Sequence, residues 1–246
     1  MIIEACVNSA TSAIEAQKGG ANRVELCENL HEGGTTPSVG SICFARKRLD
    51  IDLFVMIRPR GGDFLYSQFE FEIMKEDIRF AKEHGADGVV FGILLPDGTI
   101  DRERMKILAD LAQPMSITCH RAFDMTMDPF QAMEDLIDLG FDRILTSGQK
   151  PGALEGALLI KNLISKTNGR IIIMPGSGVK EHNIAELILL TGAKEVHIHL
   201  EKQEASRMIF KRHDVFMGKP DLSEFENTQT DWKRIDKMRR MIDELK

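Results

Sequence analysis

The chain has 246 residues, of which 43% are apolar and 28% are charged, so it is long enough to bury a full hydrophobic core. Lys and Arg number 32 against 38 Asp and Glu, and no basic run is interleaved with aromatic residues. We therefore expect no nucleic-acid or membrane partner. Without a signal-peptide pattern or eighteen consecutive apolar residues, and with four cysteines that lack CxxC spacing, the chain is expected to be cytoplasmic with reduced thiols.

Short β-rich segments alternate with helical patterns along the chain. Strands are predicted at Ile2–Val7, Arg23–Cys27, Leu53–Arg58, Gly88–Leu94, Met115–His120, Arg143–Thr146, Arg170–Met174 and Glu195–Leu200. Helices are predicted between them at Ser12–Lys18, Val39–Leu49, Glu72–His84, Arg102–Leu111, Pro129–Leu139, Ala153–Lys166 and Glu181–Leu190. This βα alternation predicts an α/β fold, a closed parallel (β/α)8 TIM barrel, with a doubly wound open sheet as the alternative.

The end of the chain has a different pattern. From about residue 230, apolar side chains recur at helical spacing, namely Trp232, Ile235, Met238, Ile242 and Leu245. This predicts a C-terminal amphipathic helix that packs on the barrel or on a second subunit. We expect one domain over 1–246, with the barrel over about 1–204 and the extension over about 205–246.

Alternation along the strands predicts which side chains face into the barrel. Glu4 and Cys6 share one face of the first strand, and Glu25 and Cys27 share one face of the second. Continued around the ring, the same phase predicts an inward set of Glu4, Glu25, Arg58, His120, His197 and His199. Apolar residues usually fill a barrel, so these groups form either interior ion pairs that fix the strands or the lining of a site.

The two inward cysteines suggest a metal site. Strands joined by one βα crossover are expected to be neighbours, so the thiols of Cys6 and Cys27 would lie at matching heights about 5 Å apart. Two thiolates suit two-coordinate Cu(I), whereas zinc would need His199 or a carboxylate as well. The alternative is that both cysteines are small buried residues of the core.

The carboxyl ends of the strands support a second hypothesis, because barrel enzymes place their active sites there. In this alternative the chain is an isomerase or lyase that acts on a small anionic or phosphorylated metabolite. Glu25 would be the general base and His120 the general acid, with Arg58 and Arg60 stabilising charge. Glycine-rich loops would hold the anion through Ser147, Gly148, Gly176, Ser177 and Gly178.

Several segments resemble the CutC family, which is named for copper homeostasis. They are EACVNS, GGANRVELCENLHEGGTTPS, IRPRGGDFLYS, GVVFGILLPDGTID, CHRAFD, RILTSGQ and GSGV, in order from residue 3 to about 199. The resemblance implies a cytoplasmic (β/α)8 barrel, often a homodimer, that binds Cu(I) through the cysteines matching Cys6 and Cys27. Strand eight reads EVHIHLEK and lacks the family's serine-containing turn, so we expect a different pocket around His199 and Leu200.

Overall fold

Strands and helices alternate through the chain as predicted. The computed structural model describes residues 1–215, 217 and 223–245. The strands are β1 (Ile2–Val7), β2 (Arg23–Leu26), β3 (Asp52–Met56), β4 (Gly88–Phe91), β5 (Ser116–Cys119), β6 (Arg143–Thr146), β7 (Ile172–Pro175), β8 (Glu195–Ile198), β9 (Glu201–Ala205) and β10 (Glu226–Thr230). The helices are α1 (Ala10–Lys18), α2 (Val39–Arg46), α3 (Gln68–Glu83), α4 (Arg102–Ala112), α5 (Pro129–Asp138), α6 (Ala157–Thr167), α7 (Ile184–Thr191) and α8 (Trp232–Asp243).

Strands β1 to β8 form one parallel sheet. Each strand pairs with its neighbour in sequence from β1 to β7, and β8 returns to pair with β1. The two remaining edges, β7 and β8, lie against each other, so the sheet is a nearly closed barrel. The (β/α)8 prediction is confirmed, and the doubly wound alternative is wrong because its end strands would lie apart.

The main hydrophobic core lies between the strands and the surrounding helices. Residues of the outward phase, such as Ile3, Val24 and Leu53, are fully buried there. A smaller apolar cluster lies inside the barrel and contains Cys6, Cys27, Phe54, Met56 and Val90. The inward phase is therefore partly apolar and partly polar, which leaves room for a site within the ring.

The C-terminal helix completes the outer layer. The apolar face of α8, formed by Ile235, Met238 and Ile242, is buried, and α8 packs against α1 and α7. Gly19 permits this approach, since a Cβ there would lie 2.8 Å from Cβ of Ile235. The predicted helix is therefore confirmed, and it packs on the barrel.

An additional pair of strands precedes α8. Strands β9 and β10 pair in antiparallel fashion, and the predicted division at about residue 204 falls inside β9. The sequence did not reveal β9 because EKQEA is charged and exposed, without the alternation of apolar residues that marks a half-buried strand. No helix in the described part of the chain combines the length and apolarity needed to cross a bilayer.

Candidate functional site

The amino ends of the strands enclose a buried ion network. The Nε of Arg23 donates to Glu4 at 2.5 Å, and its Nη2 donates to Glu195, also at 2.5 Å. Arg143 donates to the same Glu195 oxygen at 3.0 Å. The ring of Phe54 lies 4.8 Å from the guanidinium of Arg23 and 5.2 Å from that of Arg143. We call these four charged residues the lower layer, and within it every charge has a partner.

Sequence reasoning missed three members of this layer. Arg23 lies two residues before Glu25 and Glu195 two residues before His197, so both share the inward phase that was already assigned. Arg143 begins β6 and faces the interior in the same way. Strict use of the alternation would have found all three.

His197 connects the lower layer to the residues above it. Its Nδ1 lies 2.7 Å from Glu4 Oε1, and its Nε2 lies 3.8 Å from Glu25 Oε2. Burial alone would raise the pKa of Glu4, yet His197 and Arg23 lower it to about 2. Burial alone would lower the pKa of His197, but Glu25, Cys6 and Glu4 raise it well above its ordinary value. An imidazolium held by a carboxylate therefore lies beneath the thiols.

The two predicted metal-binding cysteines lie side by side. The Sγ atoms of Cys6 and Cys27 are 4.0 Å apart, and both thiols are free. The strand register, however, pairs Cys6 with Glu25, so Cys27 lies further along its strand and the predicted matching heights are wrong. Gly34 covers Cys27, since a Cβ at that glycine would lie 3.3 Å from the sulfur. The side chains bridge the offset that the backbone register creates.

The pKa values of the two thiols and of the neighbouring carboxyl do not all shift in the same direction. A hydrogen bond from Cys27 lowers the pKa of Cys6 well below that of an ordinary thiol. The same interaction raises the pKa of Cys27, and burial raises the pKa of Glu25 well above its ordinary value. Cys27 Sγ lies 3.4 Å from Glu25 Oε2. The directions of these shifts favour loss of the proton from Cys6 before Cys27, and they favour a protonated Glu25 more than for an ordinary carboxyl.

Three donor atoms converge at the thiols. Sulfur atoms of Cys6 and Cys27 and a carboxylate oxygen of Glu25 all lie within 4.8 Å of one another. A second convergent group contains Glu4, Glu25 and His197, but Glu4 is already engaged with Arg23. The first group contains two soft sulfur donors, which favour Cu(I) or zinc over magnesium or calcium.

A cavity of about 270 Å³ opens at the carboxyl ends of the strands beside the thiols. Its lining comprises Cys6, Glu25, Gly33, Met56, Arg58, Phe64, His120, Arg121, Asp124, Met125, Leu145 and His197. It thus brings together Cys6, Glu25, Arg58 and His120, as predicted, whereas Cys27 is fully buried behind the wall. A separate cavity of about 400 Å³ at the opposite end of the barrel is lined mainly by apolar residues from Met1 to Leu245.

Arg58 is a buried cation that faces this cavity. Its Nη1 donates to the carbonyls of Glu32 and Gly34, and its Nη2 donates to that of Gly62, each at 2.8 Å. These bonds join the loops that follow β2 and β3. Among the described residues, its Nε has no hydrogen-bond partner.

His120 presents a neutral ring. Its Nδ1 accepts the main-chain N–H of Ala122 at 3.2 Å, which places the ring proton on Nε2. Burial and the charge of Arg58 lower the pKa of His120 to about 3. Gly92 leaves space for the ring, because a Cβ there would lie 2.9 Å from Nδ1. The structure thus favours His120 as an N–H donor over the predicted general acid.

Arg60 lies outside the cavity lining. It donates to Glu70 at 2.6 Å and to Asp63 at 2.9 Å, and its guanidinium lies over the ring of Tyr66. These contacts hold the loop after β3 against the start of α3. The charge-stabilising role predicted for Arg60 is therefore not supported by its position.

The polar groups of Ser147 and Gly148 are also engaged in hydrogen bonds with nearby protein residues. The N–H and hydroxyl of Ser147 each contact Asp124 at 2.9 Å, and the N–H of Gly148 donates to the Thr146 hydroxyl at 2.9 Å. Gly148 has φ of +69°, and a Cβ there would lie 2.4 Å from the oxygen of Gly156. The polar groups predicted to hold an anion are instead engaged in loop structure.

The Gly176–Gly178 loop does not reach the cavity lining either. The N–H of Gly176 donates to a carbonyl of β6 at 3.0 Å, and the hydroxyl of Ser177 donates to the loop after β6 at 2.8 Å. Because α7 begins only at Ile184, these residues do not form the first turn of a helix. This separation corrects the predicted geometry of a helix-start anion site.

His199 and Leu200 lie beyond the wall of the cavity. The Nδ1 of His199 lies 3.2 Å from the carbonyl of Cys6, and its Nε2 lies 2.9 Å from Glu201. Its ring lines a groove of about 590 Å³ beside β9 and β10, while Leu200 is buried. The prediction that His199 faces inward is wrong, because the chain leaves the barrel after β8 and turns into β9.

These features define a (β/α)8 barrel with a thiol-bearing cavity at the carboxyl ends of its strands. The profile of the CutC family matches residues 1–202. A CutC family protein from Parabacteroides distasonis is 52% identical over 236 residues, covering 95% of this chain and 97% of the relative. The chain therefore belongs to the CutC family.

Further relatives agree with this assignment. The human copper homeostasis protein cutC homolog is 48% identical, covering 95% of this chain and 86% of the relative. A solved structure from Streptococcus agalactiae that carries the CutC name is 39% identical, with a TM-score of 0.77, covering 80% of this chain and 97% of that one. Thiamine phosphate pyrophosphorylase from Pyrococcus furiosus, at 14% identity and a TM-score of 0.58, covers 99% of this chain and 96% of its own and shows the shared fold alone.

Proposed function

We propose that this protein binds Cu(I) through Cys6 and Cys27 and acts in copper homeostasis. The observation that carries the proposal is the pair of free, buried thiols whose sulfur atoms lie 4.0 Å apart. Relatives at about half identity carry the name copper homeostasis protein, which supports the same function. Soft thiolate sulfur is a preferred ligand of Cu(I).

The spacing of the sulfurs suits an ion held between them. Metal–thiolate bonds of about 2.3 Å, as for zinc, would place two linearly opposed sulfurs about 4.6 Å apart. The observed separation of 4.0 Å is a little shorter, and it far exceeds a disulfide bond of about 2.05 Å.

The surroundings favour a deprotonated ligand at Cys6. His197 carries a raised pKa and contributes to the lowered pKa of Cys6, so a thiolate is stabilised before any ion arrives. Cys6 lines the cavity, whereas Cys27 lies behind it. Cu(I) would enter past Cys6 and release the remaining proton from Cys27 as the second bond forms.

Anaerobic Cu(I) titration against a competing chelator tests the proposal. We expect Cys6→Ser and Cys27→Ser each to weaken affinity by more than about 100-fold, because the loss of supporting residues alone costs about 10- to 100-fold. Cys43→Ser is the matched control, since that half-buried thiol lies on α2. Equal affinity in the parent and both site variants would reject the copper site, and tighter binding of Zn(II) than of Cu(I) would assign it to zinc.

Catalysis on a small anionic metabolite is a second candidate function. Glu25 favours it, because this buried carboxyl has a raised pKa and an Oε1 atom without a partner among the described residues. A carboxyl that retains its proton can donate it, so the structure favours Glu25 as an acid rather than the predicted base. Turnover of a metabolite library by the parent, lost in Glu25→Gln, would support catalysis, and equal turnover in the two would exclude this role.

The location and assembly of the protein are also proposals. All four cysteines are free, which supports the cytoplasmic location implied by the family resemblance. The homodimer expected from that resemblance stays a prediction. Sedimentation equilibrium of the copper-free protein would measure the assembly directly.

A further inference from the structure

Buried polar atoms without protein partners cluster at one cavity. Among the described residues, four such side-chain atoms occur, and three of them, Glu25 Oε1, Arg58 Nε and His120 Nε2, belong to residues that line the cavity beside the thiols. An unsatisfied buried polar atom costs about 1–3 kcal/mol, and folded proteins contain few of them. Their convergence therefore indicates a polar ligand.

The charge of Arg58 defines the sign of that ligand. Its side chain is buried, and its Nη groups donate to three main-chain carbonyls, which solvate the guanidinium but do not neutralise it. No ion pair within 4.0 Å joins Arg58 to a carboxylate in the described part of the chain. A buried unpaired cation favours an anion as its partner.

His120 supplies a second donor next to the first. The N–H of Ala122 occupies Nδ1, so Nε2 carries the proton. The guanidinium of Arg58 lies 5.1 Å from the centroid of the Phe64 ring, and the His120 ring lies 4.9 Å from it. Both side chains therefore lie close to one aromatic ring in the cavity wall.

The remaining walls limit the anion to a small one. Met56, Phe64 and Leu145 give an apolar lining, and Arg121 is already paired with Asp124 at 2.7 Å. The cavity lining also contains the carboxylate of Asp124, which disfavours a doubly charged phosphate. A carboxylate has two oxygens and a single charge, which matches the two donors and the one unpaired cation.

We propose that the cavity binds a small carboxylate, with its oxygens accepting from Arg58 Nε and His120 Nε2 and its short apolar body against Phe64. The inference rests on the second candidate function for its biological role, and it does not require copper. The proposed anion site is therefore the cavity beside Cys6, whereas the sequence predicted it at the glycine-rich loops.

Binding of propionate to the copper-free protein tests this site, measured by calorimetry and by ¹⁵N NMR of the His120 ring. Propionamide is the neutral isostere, and inorganic phosphate is the competing anion. The informative variant is His120→Asn, because its side-chain oxygen can still accept the N–H of Ala122 while the Nε2 donor is lost. Arg60→Gln is the matched control, since Arg60 does not line the cavity.

We expect propionate to shift the His120 Nε2 resonance and to bind about tenfold or more weakly to His120→Asn, as for loss of a hydrogen bond to a charged group. Arg60→Gln should bind as the parent does. Absence of propionate binding, equal binding of propionamide, tighter binding of phosphate, or unchanged affinity in His120→Asn would each overturn the proposal. Propionate binding without turnover would retain the site while rejecting catalysis, and its occurrence in the copper-free protein separates it from copper binding.

Discussion

Two layers of buried polar side chains inside one barrel differ in how they are paired. In the lower layer, Glu4, Arg23, Arg143 and Glu195 satisfy one another across four strands. In the layer above, which comprises Glu25, Arg58 and His120, each residue retains a buried polar atom that has no partner in the part of the chain that the structure describes. Both layers follow the same alternation and are similarly buried. Charge and burial therefore do not distinguish a structural residue from a functional one, whereas pairing does.

The pairing of the lower layer has a mechanical consequence. Its ion pairs join β1, β2, β6 and β8, so the amino ends of the strands are fixed relative to one another. His197 is held in place by the same layer, because its Nδ1 lies 2.7 Å from Glu4 Oε1. The thiols and the cavity therefore rest on a rigid base, which favours a site of defined geometry.

The largest expected effect comes from Glu4→Gln, which breaks the lower layer. Removing this carboxylate leaves the buried imidazolium of His197 without its partner, and it leaves Glu195 to pair with both Arg23 and Arg143. We expect a loss of about 3–5 kcal/mol in the free energy of unfolding, as for removal of one partner of a buried ion pair. Urea denaturation monitored by circular dichroism measures it. A loss below about 1 kcal/mol would show that the layer is not a structural base.

A change of pH is expected to have an intermediate effect on the free energy of unfolding. Burial and Arg58 lower the pKa of His120 from 6.5 to about 3 in the folded protein, so below pH 6.5 only the unfolded chain takes up the proton. This contribution reduces stability as the pH falls, by about 2 kcal/mol at pH 5. Urea unfolding of the parent and of His120→Asn at pH 5 and 7.5 measures it.

The comparison with His120→Asn isolates this contribution from its neighbours. Glu4, with its pKa lowered to about 2, loses its stabilising effect only below its ordinary value of 4.5. The raised pKa of Glu25 acts in the opposite sense, because the folded chain then holds the proton as the pH falls. These contributions are common to both proteins. An identical pH dependence for the parent and the variant would contradict the buried neutral ring.

The smallest effect is expected for Glu25→Gln, the counterpart of Glu4→Gln in the upper layer. Because burial raises the pKa of Glu25 and so favours the protonated carboxyl, the amide is close to it in shape and charge. We expect a change of less than about 1.5 kcal/mol in the free energy of unfolding. The same denaturation assay measures it, and a loss as large as that of Glu4→Gln would erase the distinction between the layers.

Much of the fold could be predicted because its signals are local. The βα alternation specifies the eight strands, and the spacing of Ile235, Met238 and Ile242 specifies α8. The strands β9 and β10 could not be predicted, since their exposed side chains carry no burial pattern. The position of His199 was wrong for a related reason, because a turn out of the barrel ends the alternation on which the prediction depended.

The site could be predicted in part. Alternation correctly brought Cys6, Glu25, Arg58 and His120 to one cavity. Roles were harder to predict, because they depend on contacts that strand alternation does not specify, such as the Ala122 N–H at His120 and the carbonyls around Arg58. The glycine-rich loops were overinterpreted, since tight turns and close backbone packing need the same residues as anion sites do.

The central claim is that two sulfur atoms at one end of the cavity hold Cu(I). Copper K-edge X-ray absorption of the Cu(I)-loaded protein tests it most directly, since it counts the atoms bound to the metal. The account predicts two sulfur neighbours in the parent and in Cys43→Ser, and one in Cys6→Ser and in Cys27→Ser. Only nitrogen or oxygen neighbours in the parent, or two sulfurs persisting in Cys6→Ser, would contradict it.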